Sequence, residues 1–185
     1  VKHHTNALET FTSPGTGPIA TFTRTQTRIL RDPSRSVSVN PLAAADGSGP
    51  LSGQSPTTGA ESVPTVPVIQ SGTGVGSEWI ELAVDANAGG IVIEGTGLGN
   101  VTGPLGNAIS EFVDNLPIVI ASRPPAGPTE AVYGTAGGAV TLQRHGVVFA
   151  GDLSAAKARV GLALGLASGF DRDKLSALFA YPPCK

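Results

Sequence analysis

Short apolar strands alternate with helices from residue 66 to the carboxyl terminus. This predicts an α/β fold, a small parallel sheet of about four strands with helices on both faces. Three observations support it. Four runs read as strands: Val66–Ile69, Gly90–Ile93, Pro117–Ala121 and Gly146–Ala150. Segments with helical spacing and recognisable start and stop residues lie between or after them. Each strand run is apolar on consecutive residues, so both faces of the sheet must be covered. Parallel strands of this kind are joined by right-handed crossovers, and their ligands bind beyond the carboxyl ends of the strands. Those ends carry the loops 70–77, 94–103, 122–140 and 151–154.

The elements follow in order. Residues 1–32 are Thr-rich with one strand candidate, Ile19–Thr23. Residues 33–65 are rich in Pro, Ser and Gly and have too few large apolar side chains to offset the entropy of ordering, so they read as a linker. The third region, 66–185, is the α/β domain. After its first strand, Ser77 caps a helix running to Ala86, with Glu78 in the first turn. Pro104 suits the first turn of a second helix, in which Leu105, Ile109, Phe112 and Val113 recur at helical spacing. Ser154 caps a long helix, "AAKARVGLALGLAS", which Gly169 terminates. Asp171 caps a last short helix to about Phe179, and Pro182-Pro183 end it. The long helix is apolar almost all round, which calls for cover on more than one side and for self-association.

Composition excludes several classes. Charged residues make up 14% of the 185, against roughly 25% in an ordinary soluble domain. Net charge is −2 with a pI near 5.9, which leaves no basic footprint for nucleic acid. The apolar run Val160–Ala167 is far shorter than the roughly 20 residues of a membrane span, so no membrane partner is expected. Cys184 is the lone cysteine, either paired with a partner elsewhere or an inert exposed thiol. His3 and His4 would point to opposite faces of a strand and His145 stands alone, so no metal and no cofactor is expected.

The stretch "GGIVIEGTGLGN", residues 89–100, has the strand and glycine loop of a phosphate cradle. The third glycine of a dinucleotide fingerprint would fall at Asn100, the next helix starts too late, and no acid follows at about 20 residues. Gly95, Gly97 and Gly99 therefore read as a tight turn. Ser154 and Lys157 form S-x-x-K, but neither S-D-N nor K-T-G accompanies it, so a helix cap is the better reading. Asn100-Val101-Thr102 is a glycosylation sequon or simply a turn Asn.

Four segments in order resemble the bacterial-type L-asparaginases and glutaminase-asparaginases. "HHTNALETFTSPGTGPI" is similar to the end of that family's amino-terminal domain, with T-F-x-S-P-x-x-G-P at Thr10–Pro18. "GGIVIEGTGLGNV" resembles its G-I-V-x-x-G-x-G-x-G-N strand and turn. "PIVIASRPPAGP" resembles the next strand with its S-R-x-P-x-G-P exit. "GVVFAGDLSAAKARVGLALGLA" resembles the closing strand and helix, with G-x-L-x-x-x-K-A-R at Gly151–Arg159. The resemblance implies a carboxy-terminal domain preceded by the end of an amino-terminal one, with Val1 past the middle of a longer parent chain.

Its implied chemistry is hydrolysis of the side-chain amide of asparagine or glutamine through an acyl-enzyme. A Thr in T-G-G-T-I attacks, and a second Thr with an Asp and a Lys moves the proton; neither motif occurs here. This chain alone is thus expected to be inactive, with no catalytic residue of its own. The family's domain also lends an Asn and a Glu to a neighbouring subunit's site. Those positions fall at about Gly74 and near Ala139, so neither residue carries over. Ser71, Thr73 and Glu130 are the candidate substrate contacts in their place. The implied partners are the amino-terminal domain or a second copy in a homo-oligomer, in a secreted or periplasmic setting. The alternative is a non-catalytic module that binds a small polar or anionic ligand with loops 94–103 and 122–140.

Overall fold

The computed structural model describes residues 5–7, 10–13, 17–31 and 63–180. They fall in two compact units, one at the amino-terminal end and one holding the α/β elements. The expected linker, 33–65, lies almost wholly outside the described residues.

In the first unit, β1 (Ala20–Phe22) pairs antiparallel with β2 (Thr27–Ile29). The sequence pattern places the first arm and misses the second. The turn carries no Gly or Asn; the Thr23 side chain closes it instead. Its hydroxyl donates to the Gln26 carbonyl at 3.1 Å and accepts from the Gln26 N–H at 3.0 Å. A hydroxyl that mimics a backbone turn partner is a weaker sequence signal than glycine.

The second unit runs β3 (Val68–Gln70), α1 (Glu78–Asp85), β4 (Ile91–Gly95), α2 (Gly103–Phe112), β5 (Ile118–Ser122), α3 (Ala139–Arg144), β6 (Val148–Phe149), α4 (Ala155–Ala167) and α5 (Arg172–Phe179). The four strands are all parallel and lie in chain order, β3-β4-β5-β6. A sheet wound in one direction by crossovers of one hand puts every crossover helix on the same face. The packing agrees. Ile69, Ile91, Ile93, Ile118 and Ile120 face a cluster that includes Ile80 of α1, Leu105 and Ile109 of α2, and Leu142 of α3. The alternate residues Val92, Val119, Ala121 and Val148 face a second cluster with Ala158 and Leu162 of α4 and Leu175 and Phe179 of α5. Two cores, one per face, explain why the strands read as continuous apolar runs. Full burial of each Ile or Val contributes about 1.5–3 kcal/mol.

The ends of the helices are less uniform than their residues suggest. Asp171 does cap α5, accepting from the Lys174 N–H at 2.9 Å. Gly169, at φ +70, ends α4 as expected: Phe170 N–H donates to the Gly165 carbonyl and Gly169 N–H to that of Leu166. Ser77 and Ser154 stand at the N-cap positions but make no side-chain cap bond. Ser77 is already helical, at φ −63 and ψ −29, and the Glu78 carboxylate turns back to accept from Gly76 N–H at 3.1 Å. Helix α3 has no counterpart in the sequence pattern. Six residues including Val140 and Thr141 form less than two turns, and the helix depends on tertiary support from buried Leu142.

Candidate functional site

Because all four strands are parallel, their carboxyl ends open on one edge, where Ser71, Thr96, Arg123 and Ala150 begin the exits. Ser71 extends the β3 ladder, its N–H donating to the Glu94 carbonyl at 2.9 Å. It is only 1% exposed, and its hydroxyl accepts from the Thr102 N–H at 3.3 Å at the head of α2. Its carbonyl accepts from the Arg123 guanidinium, 52 residues away in sequence. One residue therefore ties three exits together. Gln70 and Glu94, register partners on β3 and β4, are joined at 2.9 Å through their side chains.

The exit of β4 is a closed turn. Thr96 N–H donates to the Asn100 carbonyl at 2.8 Å and Asn100 N–H returns to the Thr96 carbonyl at 3.0 Å. The Ser122 hydroxyl donates to the Gly97 carbonyl from the neighbouring strand end. Gly97 and Gly99 hold φ of +53 and +100. Gly95 is required by close approach, since a β-carbon there would lie 2.8 Å from the Asn100 carbonyl oxygen. The glycine loop is filled by its own turn and reads as structure.

Loops 94–103 and 122–140 are knitted to each other. Glu130 N–H donates to the Leu98 carbonyl at 2.9 Å, Val101 N–H to that of Gly137 at 2.9 Å, and Ala139 N–H to the Asn100 side-chain oxygen at 3.3 Å. The sequon asparagine thus holds the start of α3. Of the expected contacts, the structure buries Ser71 and leaves Thr73 and Glu130 exposed. Neither the Thr73 hydroxyl nor the Glu130 carboxylate makes a hydrogen bond among the described residues. Gly74 is exposed and Ala139 buried. Sequence reasoning missed Arg123, Thr102 and Ser122, although Ser122 and Arg123 open the S-R-x-P exit. The Thr102 hydroxyl is buried with no partner among the described residues.

The chemistry available here is limited. Across residues 63–180 the Ser and Thr hydroxyl bonds run to backbone groups, as for Thr96, Ser110, Ser122, Thr129 and Ser168. No hydroxyl in that span is paired with a His, Lys or carboxylate that could remove its proton. Ser154 and Lys157 are both exposed at the head of α4. Among the described residues, the groups on this edge hold and orient polar groups.

Residues 65–179 match the family model described as the glutaminase/asparaginase C-terminal domain, more than half of the chain. The chain belongs to that family. The chain is 39% identical over 92 residues to a "probable L-asparaginase" of Deinococcus radiodurans, covering 50% of this chain and 28% of that protein. It is 28% identical over 160 residues to a component of the glutamyl-tRNA(Gln) amidotransferase of Methanosphaera stadtmanae, covering 82% of this chain and 32% of that protein. The chain thus spans about a third of the length of the relatives it matches. The parallel four-stranded sheet covered on both faces is the fold expected of the asparaginase carboxy-terminal domain.

Proposed function

We propose that this chain is the carboxy-terminal portion of an L-asparaginase-like amidohydrolase, which converts L-asparagine and water to L-aspartate and ammonia. Its role is to scaffold a site whose nucleophile comes from an amino-terminal domain. The observation that carries this reading is the combination of the family match over 65–179 with an exit edge on which, among the described residues, no hydroxyl is paired with a group that could remove its proton. Both relatives are named for amide chemistry, which supports the reaction class. Thr73 and Glu130, exposed and without partners on this edge, are the groups it offers to substrate. Ser71 serves by fixing the loop that carries Thr73.

The chain alone is expected to release no ammonia from asparagine or glutamine. Mixing it with an amino-terminal domain bearing T-G-G-T-I should restore release, and Glu130→Gln should then raise KM. Turnover by the isolated chain that survives repurification and disappears in Ser154→Ala defeats the scaffold reading and puts the nucleophile at the head of α4.

A further inference from the structure

We propose that the cavity at the amino ends of β5 and β6 binds a small apolar α-amino acid in its zwitterionic form. The cavity lies between the end of α2 and the start of α5 and has a volume of about 260 Å³. That is just under the roughly 300 Å³ where pockets for larger ligands begin, so it suits one small metabolite and has no room for a nucleotide. Its floor is apolar, built from Ile118, Val148, Phe170 and Leu175. Its rim is charged, lined by Arg172, Asp114 and Asp171.

The state of each rim group selects the ligand. Arg172 donates Nη2 to the Val113 carbonyl at 2.8 Å, which anchors the side chain. It also lies over Gly146, where a β-carbon would collide with Nη1, so the guanidinium rests directly on the backbone entering β6. Its ion pair with Asp114 is long, 3.6 Å, between side chains 46% and 82% exposed. A surface pair of that kind contributes little and is readily exchanged. No other acceptor takes the remaining guanidinium donors among the described residues. Asp171 is engaged, accepting from the Lys174 N–H at 2.9 Å with the Lys174 ammonium 3.9 Å from its other oxygen. Asp114 is the open acceptor.

A carboxylate fits the free guanidinium donors and an ammonium fits Asp114, while a branched side chain covers the apolar floor. A fatty acid engages only Arg172 and adds no contact to Asp114. A simple amine satisfies only Asp114. The zwitterion engages both, because its opposite charges sit one carbon apart and the two rim groups lie side by side, 3.6 Å from each other.

The test is a titration of the isotope-labelled chain with L-leucine, followed by amide chemical shifts. Saturable shifts at millimolar ligand, confined to residues 113–119, 146–148 and 170–175, are expected. Isocaproate, which lacks the ammonium, should bind about threefold more weakly, and isoamylamine, which lacks the carboxylate, roughly tenfold more weakly or worse. Asp114→Asn, a change at an exposed side chain, should weaken L-leucine about threefold and leave isocaproate bound at least as tightly, since a neighbouring negative charge that competes for Arg172 is removed. Arg172→Gln should abolish both, and Asp114→Asn decides the matter if that variant fails to fold. No saturable shift with L-leucine, or isocaproate binding as tightly as L-leucine, overturns the proposal.

Discussion

Gly95, Gly97 and Gly99 alternate along one loop, yet each meets a different demand. Gly97 needs only its φ of +53, and a β-carbon there meets open space. Gly99 combines φ +100 with a neighbour, Thr129 Cγ2, at 3.1 Å from where a β-carbon would sit. Gly95 has an ordinary φ but faces the Asn100 carbonyl oxygen at 2.8 Å, a backbone atom that cannot swing away. Gly97→Ala should therefore cost about 1 kcal/mol, the left-handed strain alone. Gly95→Ala and Gly99→Ala should each cost about 2 kcal/mol or more, because backbone or packed side chains must also shift. Urea denaturation of the three variants gives the ranking. A phosphate cradle would instead give thermal stabilisation by millimolar NAD or ATP, and a shift with either ligand would count against the turn reading. Ser71→Ala should cost about 1 kcal/mol, since the half-buried Thr102 N–H loses its acceptor.

At the scale of elements, the caps separate a residue's type from what it does. Asp171→Ala should destabilise by about 1 kcal/mol, because its carboxylate takes an otherwise unpaired N–H of α5. Ser77→Ala and Ser154→Ala should fall within about 0.5 kcal/mol of the parent, since neither hydroxyl makes a cap bond. A large loss in either serine variant would show that a cap bond forms in solution. Helix α5 is part of the second core and no appendage. Its Phe179 is fully buried, with its ring 3.2 Å from where a β-carbon on Gly161 of α4 would lie. Phe179→Ala should cost about 3–5 kcal/mol, measured by the same denaturation; a loss under about 1 kcal/mol would mean that α5 is loosely docked. The all-round apolar character of α4 has its explanation here. One side lies on the sheet, another takes α5, and only Val160 stays well exposed among its large apolar residues. Arg159 adds a tie, donating to the Val66 carbonyl at 2.8 Å.

At the scale of the whole molecule, the surplus apolar surface lies elsewhere than the sequence alone suggests. Trp79 and Leu82, three apart on α1, are 51% and 57% exposed, so they share one helix face. Exposed apolar side chains grouped in this way mark a surface that associates. We expect the chain to self-associate through α1 in preference to α4, with sedimentation showing a concentration-dependent dimer. Trp79→Glu with Leu82→Glu should yield monomer, and Val160→Glu should not. A monomer at every concentration removes the idea, and a dimer broken only by Val160→Glu returns the interface to α4.

The sequence by itself determined what depends on near neighbours. Consecutive apolar residues in Ile91–Val92–Ile93 and Ile118–Val119–Ile120 required a sheet covered on both faces, and both cores are there. Asp171 and Gly169 marked helix boundaries because a cap bond and a positive φ are settled within a few residues. Spacing alone could not place the Arg123 guanidinium on the Ser71 carbonyl or the Asn100 side chain on the head of α3. Those contacts join strand exits that become neighbours only once the order β3-β4-β5-β6 exists. Ser71 looked like a loop hydroxyl free for a ligand, and the tertiary structure buried it because two exits converge on it. Helix α3 and strand β2 were likewise decided late. Their local propensities are weak, and what stabilises them is a buried leucine in one case and a threonine side-chain turn in the other.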